Sequence, residues 1–141
     1  MKYIAILLIV LLTATIFLIG CTTKAYVEID GELIEVEIVD TPLERKEGLM
    51  HRESLCISCG MLFIMDKEAK HSFWMKNTLI PLDMVFINSD LVIVDVLHAE
   101  PCKEDPCVHY TPKEDALYVL ETNVMKFDES LIGKKVKITK N

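Results

Sequence analysis

Residues 72–86, SFWMKNTLIPLDMVF, contain two apolar runs that flank a short polar break. A half-buried strand alternates apolar and polar residues, whereas this stretch groups its polar residues together. Pro81 cannot donate a hydrogen bond to a central ladder, so residues 77–81 are predicted to form a corner. The stretch therefore predicts a β-hairpin, with strands over 71–76 and 82–88, whose polar side chains gather at one end.

Two interpretations of this polar corner remain open. In the structural one, Asn77 and Thr78 satisfy backbone groups, Asp83 pairs with Lys76 or caps a turn, and Trp74 fills core. In the functional one, Trp74 forms the floor of a shallow pocket with Lys76 and Asp83 at its rim. An aromatic platform beside a few fixed polar groups is how small polar ligands, sugars included, are often held. These five side chains are the candidate ligand-binding residues.

Arg45, on a predicted short helix, is a sixth candidate. It could bind an anionic group of a ligand, or it could form a surface salt bridge, which contributes little to stability. No nucleophile elbow, phosphate loop or Ser-His-Asp order is visible, so the catalytic residues are unknown. No metal ligand set or cofactor motif is predicted.

The N-terminus has the pattern of a secretory signal: Lys2 precedes an uncharged apolar run over residues 3–20. The junction Leu18-Ile19-Gly20-Cys21 resembles the lipobox of prokaryotic lipoproteins, in which the cysteine thiol takes a diacylglyceryl group. An uncleaved membrane anchor is the alternative, because this run is just long enough to span a bilayer. Both interpretations attach the rest of the chain to the membrane, outside the cytoplasm.

The chain is long enough for one domain. We expect a signal sequence or membrane anchor over residues 1–20, the lipid attachment and a short tether over 21–25, and a single β domain over 26–141. Four extended residues reach roughly 13 Å, so the domain would sit close to the lipid headgroups.

Composition excludes one class of partner. The chain has 15 basic and 22 acidic residues, a net charge of −7, and no basic cluster. Nucleic-acid binding needs lysine and arginine to displace counterions, so nucleic acid is not expected. The expected partners are the membrane, through the N-terminus, and a small ligand or another component of the cell envelope.

Five cysteines are present, and lipidation of Cys21 would leave four. An even number outside the cytoplasm indicates disulfides. Cys102 and Cys107 are the favoured pair, because the prolines that precede them bend the segment into a compact loop. Cys56 and Cys59 form a C-x-x-C, which can be a local disulfide, half of a metal site or a redox dithiol.

The remaining elements are mostly predicted strands. Asp30-Gly31 is a hairpin turn signal within residues 26–39. Thr41, Pro42, Glu44 and Gly48 are typical of one short capped helix. A second short helix is predicted over residues 123–130. The other predicted strands cover residues 60–65, 91–98, 116–121 and 134–139. About eight short strands with one or two short helices predict a mainly β fold, a jelly-roll-like sandwich or partly closed barrel.

Several motifs carry a family resemblance. They are ERKEGLMHRESL, GMLFIM, SFWMKNTLIPLDMVFI, CKEDPC, YVLE and IGKKVKI, in this order from about Thr41 to Ile138. Together they resemble the domain of unknown function 192 family. The resemblance implies a compact, mainly β domain of jelly-roll or sandwich type, often behind a signal sequence, and it implies no activity. The Cys56-x-x-Cys59 pair departs from the family pattern, as does the missing glycine after the strand over 82–88.

Three hypotheses about function follow. The first is a membrane-anchored domain that binds a small ligand or an envelope partner. The second is an extracytoplasmic hydrolase acting on envelope glycans. It requires two polar groups to converge in a cleft with shifted pKa values, chosen from Asp83, Glu100, Glu121, His71 and Arg45. The third is a thiol-redox or metal-binding protein that uses Cys56 and Cys59.

The lipobox interpretation is tested by Cys21→Ala. We expect the variant to lose incorporation of labelled fatty acid and to leave the detergent phase on phase partitioning, because the acyl chains supply the stable attachment. If the variant is labelled and partitions like the parent, the lipobox interpretation is wrong.

Overall fold

The computed structural model describes residues 24–140. The predicted leader over 1–20 and the predicted lipid site at Cys21 therefore lie outside the described residues. Within residues 24–140, no helix is both long and apolar enough to cross a membrane. The elements are β1 (Ala25–Ile29), β2 (Glu32–Val39), α1 (Pro42–Glu47), β3 (Cys59–Ala69), β4 (Phe73–Trp74), β5 (Leu82–Ile87), β6 (Ile93–Ala99), β7 (His109–Tyr110), β8 (Ala116–Asn123) and β9 (Val136–Lys140).

Seven strands form one mixed sheet in the order β6-β5-β8-β3-β2-β1-β9, and β4 and β7 form a separate two-stranded sheet. Neighbours in the large sheet are antiparallel except β2 and β3, which are parallel. Its two ends meet at one isolated bridge between Val92 and Lys135. The predicted mainly β class is confirmed, but the sheet is not a closed barrel.

The central strand β5 of the large sheet is buried on both faces. In β5, Val85 and Ile87 belong to an inner core enclosed by the curled sheet. Met84 and Phe86 point the other way, into an outer core covered by connecting segments. Every residue of β5 is buried as a result, and its sequence therefore lacks the polar alternation of a half-exposed strand.

Two local predictions are confirmed. Asp30 and Gly31 form the turn of the β1–β2 hairpin, both with positive φ. Helix α1 begins with a capping box: the Thr41 hydroxyl accepts from the backbone N–H of Glu44, whose side chain reaches back to the Thr41 N–H. Gly48 ends the helix with a φ of +48°.

The predicted hairpin over 71–88 is wrong. Strand β4 pairs with β7, so that Phe73 faces Tyr110, whereas β5 pairs with β6 and β8. Asn77 turns the chain between the two sheets with a φ of +57°. The corner at 77–81 exists, but it leads from one sheet to the other, and a two-residue partner such as β7 is too short to leave a periodic signal.

The predicted second helix over 123–130 is also wrong. Strand β8 extends to Asn123, and the chain then turns through Met125, which has a φ of +65° that no right-handed helix contains. Only a short 3-10 turn, Glu129–Leu131, follows. The backbone N–H groups of Met125, Lys126 and Phe127 all donate to the carboxyl group of Asp83, at 3.3, 2.7 and 2.8 Å.

Asp83 is fully buried. It accepts the three backbone N–H groups just described and lies 2.6 Å from Nδ1 of His98. The side chain thus caps a turn, one of the two structural roles predicted for it, and it does not pair with Lys76. Its oxygens fasten the loop after β8 to the inner face of β5.

Both cysteine pairs are at disulfide distance. Cys102 and Cys107 have an S–S distance of 2.03 Å, as favoured from the sequence. Cys56 and Cys59 are also joined at 2.03 Å, immediately before and at the start of β3. Of the three interpretations of the C-x-x-C, the local disulfide is the one that the structure contains.

We predict that Asp83→Asn lowers the free energy of unfolding by about 3 kcal/mol, because the amide nitrogen would face N–H donors and leave them without an acceptor. Asp90→Asn is the matched control: Asp90 is exposed in the β5–β6 turn, and its change is expected to stay within about 0.5 kcal/mol. Urea unfolding of both variants checks this. Equal midpoints would show that the Asp83 contacts do not stabilise the fold.

Candidate functional site

The buried carboxyl group of Glu121 is the most unusual polar group in the described chain. Glu121 lies on β8 between Met61 of β3 and Met84 of β5, its cross-strand neighbours. The residue is 5% exposed. No hydrogen bond or ion pair to its side chain is formed within residues 24–140, and burial raises its pKa from 4.5 to about 8. At neutral pH the folded protein therefore holds Glu121 mainly as an uncharged acid.

Glu121 lines a narrow cleft on the outer face of the sheet, which we call the Glu121 cleft. Its volume is about 30 Å³, room for one or two water-sized groups. The cleft is formed by Arg45, Lys46, Glu47, Gly48, Leu49, Met50, Phe63, Phe73, Trp74, Thr78 and Glu121.

The walls of the cleft are aromatic. The rings of Phe63 and Phe73 meet edge to face with centroids 5.2 Å apart. Trp74 is 42% exposed at this site, so it is a surface wall and not the core residue of the structural interpretation. A side chain at Gly48 would come within 3.1 Å of the Phe63 ring, so the glycine lets the end of α1 approach this wall closely.

Three of the six candidate ligand-binding residues line the cleft: Trp74, Thr78 and Arg45. Thr78 is 7% exposed, and no side-chain hydrogen bond to it is formed within the described part of the chain. Arg45 is held more firmly. Its guanidinium donates to the Ile64 carbonyl at 2.9 Å and to Asp66 at 2.8 Å, so the predicted salt bridge is present.

The other three candidates lie elsewhere. Lys76 pairs with Asp105 of the disulfide loop, at 2.7 Å. Asn77 supports the segment after α1, since its carbonyl accepts from the backbone N–H of His51 at 2.8 Å. Asp83 points into the inner core, as described above. The predicted arrangement, with Lys76 and Asp83 at the rim of a Trp74 pocket, does not occur.

Asp83 and Glu121 do not form a carboxylate pair. Asp83 faces Thr122 across the β5–β8 ladder, and Met84 faces Glu121. Because successive side chains of a strand point to opposite faces, the two acids lie on opposite sides of the sheet. The geometry that two-carboxylate glycoside hydrolysis requires is therefore absent from this pair.

A larger groove lies beneath the Cys102–Cys107 loop, with a volume of about 330 Å³. Glu100 and Tyr110 line it, and the backbone N–H of Glu100 donates to the Tyr110 hydroxyl at 3.0 Å. The acidic side chains that line this groove, Glu100 and Glu104, are exposed, whereas Glu121 is buried.

From the sequence, Glu121 is only one of several candidate acids. One sequence signal nevertheless points to its burial. Glu121 ends YVLE, a motif in which every preceding residue is apolar or aromatic. An acid at a position facing the core of a buried strand is rarely buried without a partner. The signal could not be used without knowing which face of β8 is covered.

Comparison with known proteins places this architecture in a family. The pattern of the DUF192 family, described as "Uncharacterized ACR", matches residues 25–139. The chain belongs to the DUF192 family. The resemblance in its motifs is thereby confirmed, over almost the whole described DUF192 domain.

Similar proteins agree on the fold. A UPF0127 protein of Thermococcus sibiricus is 32% identical over 98 residues, which are 66% of this chain and 57% of that protein. The chain thus spans just over half the length of this relative. A Sinorhizobium meliloti protein described as a candidate transcription regulator superposes with a TM-score of 0.67 at 28% identity, covering 84% of this chain and 92% of that one.

A Novosphingobium aromaticivorans protein of unknown function also has a TM-score of 0.67, at 27% identity, covering 81% of this chain and 83% of that one. The two solved structures thus share the fold of this chain.

The raised pKa of Glu121 makes stability depend on pH. Between pH 4.5 and about 8 the unfolded chain loses this proton while the folded DUF192 domain keeps it, so Glu121 lowers stability progressively across that window. Glu121→Gln should remove several kcal/mol of this loss. Urea unfolding at pH 5, 6, 7 and 8 measures it, with the exposed Glu114→Gln as the control that keeps the parental slope. Equal slopes in all three proteins would contradict the raised pKa.

Proposed function

We propose that this DUF192 protein is a membrane-anchored, extracytoplasmic domain that binds a small ligand in the Glu121 cleft. One observation carries the proposal: the carboxyl group of Glu121, a residue that is 5% exposed, has no hydrogen-bond partner within residues 24–140, and its oxygens stay open to a small cleft beside an exposed tryptophan. So narrow an opening gives these oxygens little access to water. A ligand group that bonds to Glu121 would supply the hydrogen bond that the described chain does not, which gives the cleft a reason to bind.

The sequence supports the anchored, extracytoplasmic location. Its support is the apolar run over residues 3–20 and the lipobox-like junction at Cys21. Two disulfides in so small a chain agree with an oxidising compartment.

A hydrolase is the weaker proposal. Of its five candidate residues, Arg45 and Glu121 line the Glu121 cleft, but the guanidinium is bonded to Asp66 and to the Ile64 carbonyl. Glu100 lines the groove beneath the disulfide loop. His71 bonds to the carbonyl of Lys67 within the β3–β4 connection. No two of these five residues form an acid and base in contact with each other.

Metal binding by the C-x-x-C cysteines and nucleic-acid binding are also less supported. Cys56 and Cys59 are bonded to each other, which leaves no thiolate to bind a metal. The description of the Sinorhizobium meliloti protein would suggest a regulator that contacts DNA. A net charge of −7 opposes that activity here, because phosphate binding depends on lysine and arginine.

The proposal is tested through Trp74, the one tryptophan of the chain. We expect compounds that enter the cleft to change its fluorescence emission in a saturable way, when small polar compounds are titrated into the full chain in detergent. Thr78→Val should weaken such binding about fivefold, since one hydrogen bond is worth about 1 kcal/mol.

Thr139→Val on the edge strand β9 is the matched control and should bind like the parent. Saturable binding that leaves Trp74 emission unchanged and is indifferent to Thr78→Val would place the site elsewhere, such as the groove beneath the disulfide loop.

A further inference from the structure

We propose that the Glu121 cleft recognises a primary ammonium group at the end of a linear alkyl chain, as found in small alkylamines and in lysine side chains. This inference rests on the proposed binding function and names the class of ligand. Charge, size and the chemistry of the walls each support it.

None of the charged residues around Glu121 within residues 24–140 is bonded to its carboxyl group. Helix α1 contributes Arg45, Lys46 and Glu47 to the mouth of the cleft. Arg45 is paired with Asp66, and Lys46 and Glu47 are exposed and of opposite sign. The neighbouring positions on β3 and β5 are methionines, and the β4 wall is aromatic. Glu121 is thus a potential anion with which no cation of residues 24–140 is paired, and a cationic ligand would supply a partner.

The size of the cleft selects a compact head group. A volume of about 30 Å³ admits an ammonium group and the carbon that carries it, but neither a sugar ring nor a planar guanidinium. The ligand's alkyl chain would leave past Met50 and Trp74, two lining residues that are partly exposed.

The lining matches the bonding needs of an ammonium. The group has three N–H donors and no acceptor. Glu121 offers two carboxylate oxygens and Thr78 offers a hydroxyl oxygen. The rings of Phe63, Phe73 and Trp74 present faces and edges around the same space, and cations are attracted to aromatic faces.

Binding should be coupled to proton release. An ammonium binds the ionised form of Glu121, and the folded protein is mainly protonated below pH 8. Affinity is therefore expected to rise about tenfold per pH unit between pH 6 and 7 and to level off above pH 8. Alkylammonium groups keep their charge throughout this range.

The test uses the full chain in detergent with ¹³C-methyl methionine, followed by NMR. Met50 lines the cleft, and Met61 and Met84 neighbour Glu121, whereas Met125 is 87% exposed on the loop after β8. n-Butylammonium is titrated at pH 6, 7 and 8, with n-butanol and butyrate as probes of the same length. We expect butylammonium to shift the cleft methionines and leave Met125 unmoved, with the pH dependence given above.

Variants separate this inference from the proposed function. Glu121→Gln should weaken butylammonium binding at least tenfold and remove its pH dependence, while Glu114→Gln binds like the parent. If butanol shifts the same methionines equally and Glu121→Gln binds it unchanged, the cleft is a ligand site and the ammonium inference is wrong. If no probe or screened compound shifts Met50, the proposed function fails as well.

Two further probes identify the source of the ammonium. These are 1,5-diaminopentane, a free diamine, and Nα-acetyl-lysine methylamide, which mimics a lysine in a protein chain. Binding of either probe at the cleft methionines supports the inference. Tighter binding of the diamine indicates a small molecule as the ligand, and tighter binding of the lysine derivative indicates a partner protein. Binding of neither, with butylammonium also silent, overturns it.

Discussion

Burial of the β5–β8 part of the large sheet on both faces is the constraint on which the candidate site of this protein depends. A strand such as β5, buried along its whole length, offers no exposed position for a polar side chain. Any acid in these central strands must therefore be given hydrogen bonds or remain uncharged. Asp83 and Glu121 are the two acids in adjacent rows of the same ladder, and they meet this constraint in opposite ways.

Asp83 is satisfied by the backbone. Three N–H groups of the loop after β8 donate to it, so that its burial organises a turn that would otherwise have no regular structure. Glu121 receives no such donors from residues 24–140, and burial alone raises its pKa to about 8. One acid is used to build the fold. The other acid, Glu121, has carboxyl oxygens that contribute no hydrogen bond to the stability of the described fold.

The polar residues around the cleft serve mostly to hold its walls. Arg45 ties α1 to β3 through the Ile64 carbonyl and Asp66. Outside the cleft, the backbone carbonyl of Asn77 ties the β4–β5 connection to the segment after α1. These contacts join segments that have no strand pairing between them. Similar folds occur in a candidate regulator and in a protein of unknown function, so the chemistry must be argued from the cleft and not from the fold.

The sequence by itself determined the family and three local features: the Asp30-Gly31 turn, the capping box of α1 and the favoured Cys102–Cys107 pair. Each local feature depends on residues close in the chain, whose geometry is set by short-range sterics and hydrogen bonds. Only the tertiary structure decided that β4 pairs with β7, that Asp83 faces inward, and that Glu121 is covered. Strand periodicity shows which residues share a face, but it does not show what packs against that face. The segments that cover Glu121 and form its cleft are distant in the chain, so the sequence could not reveal them.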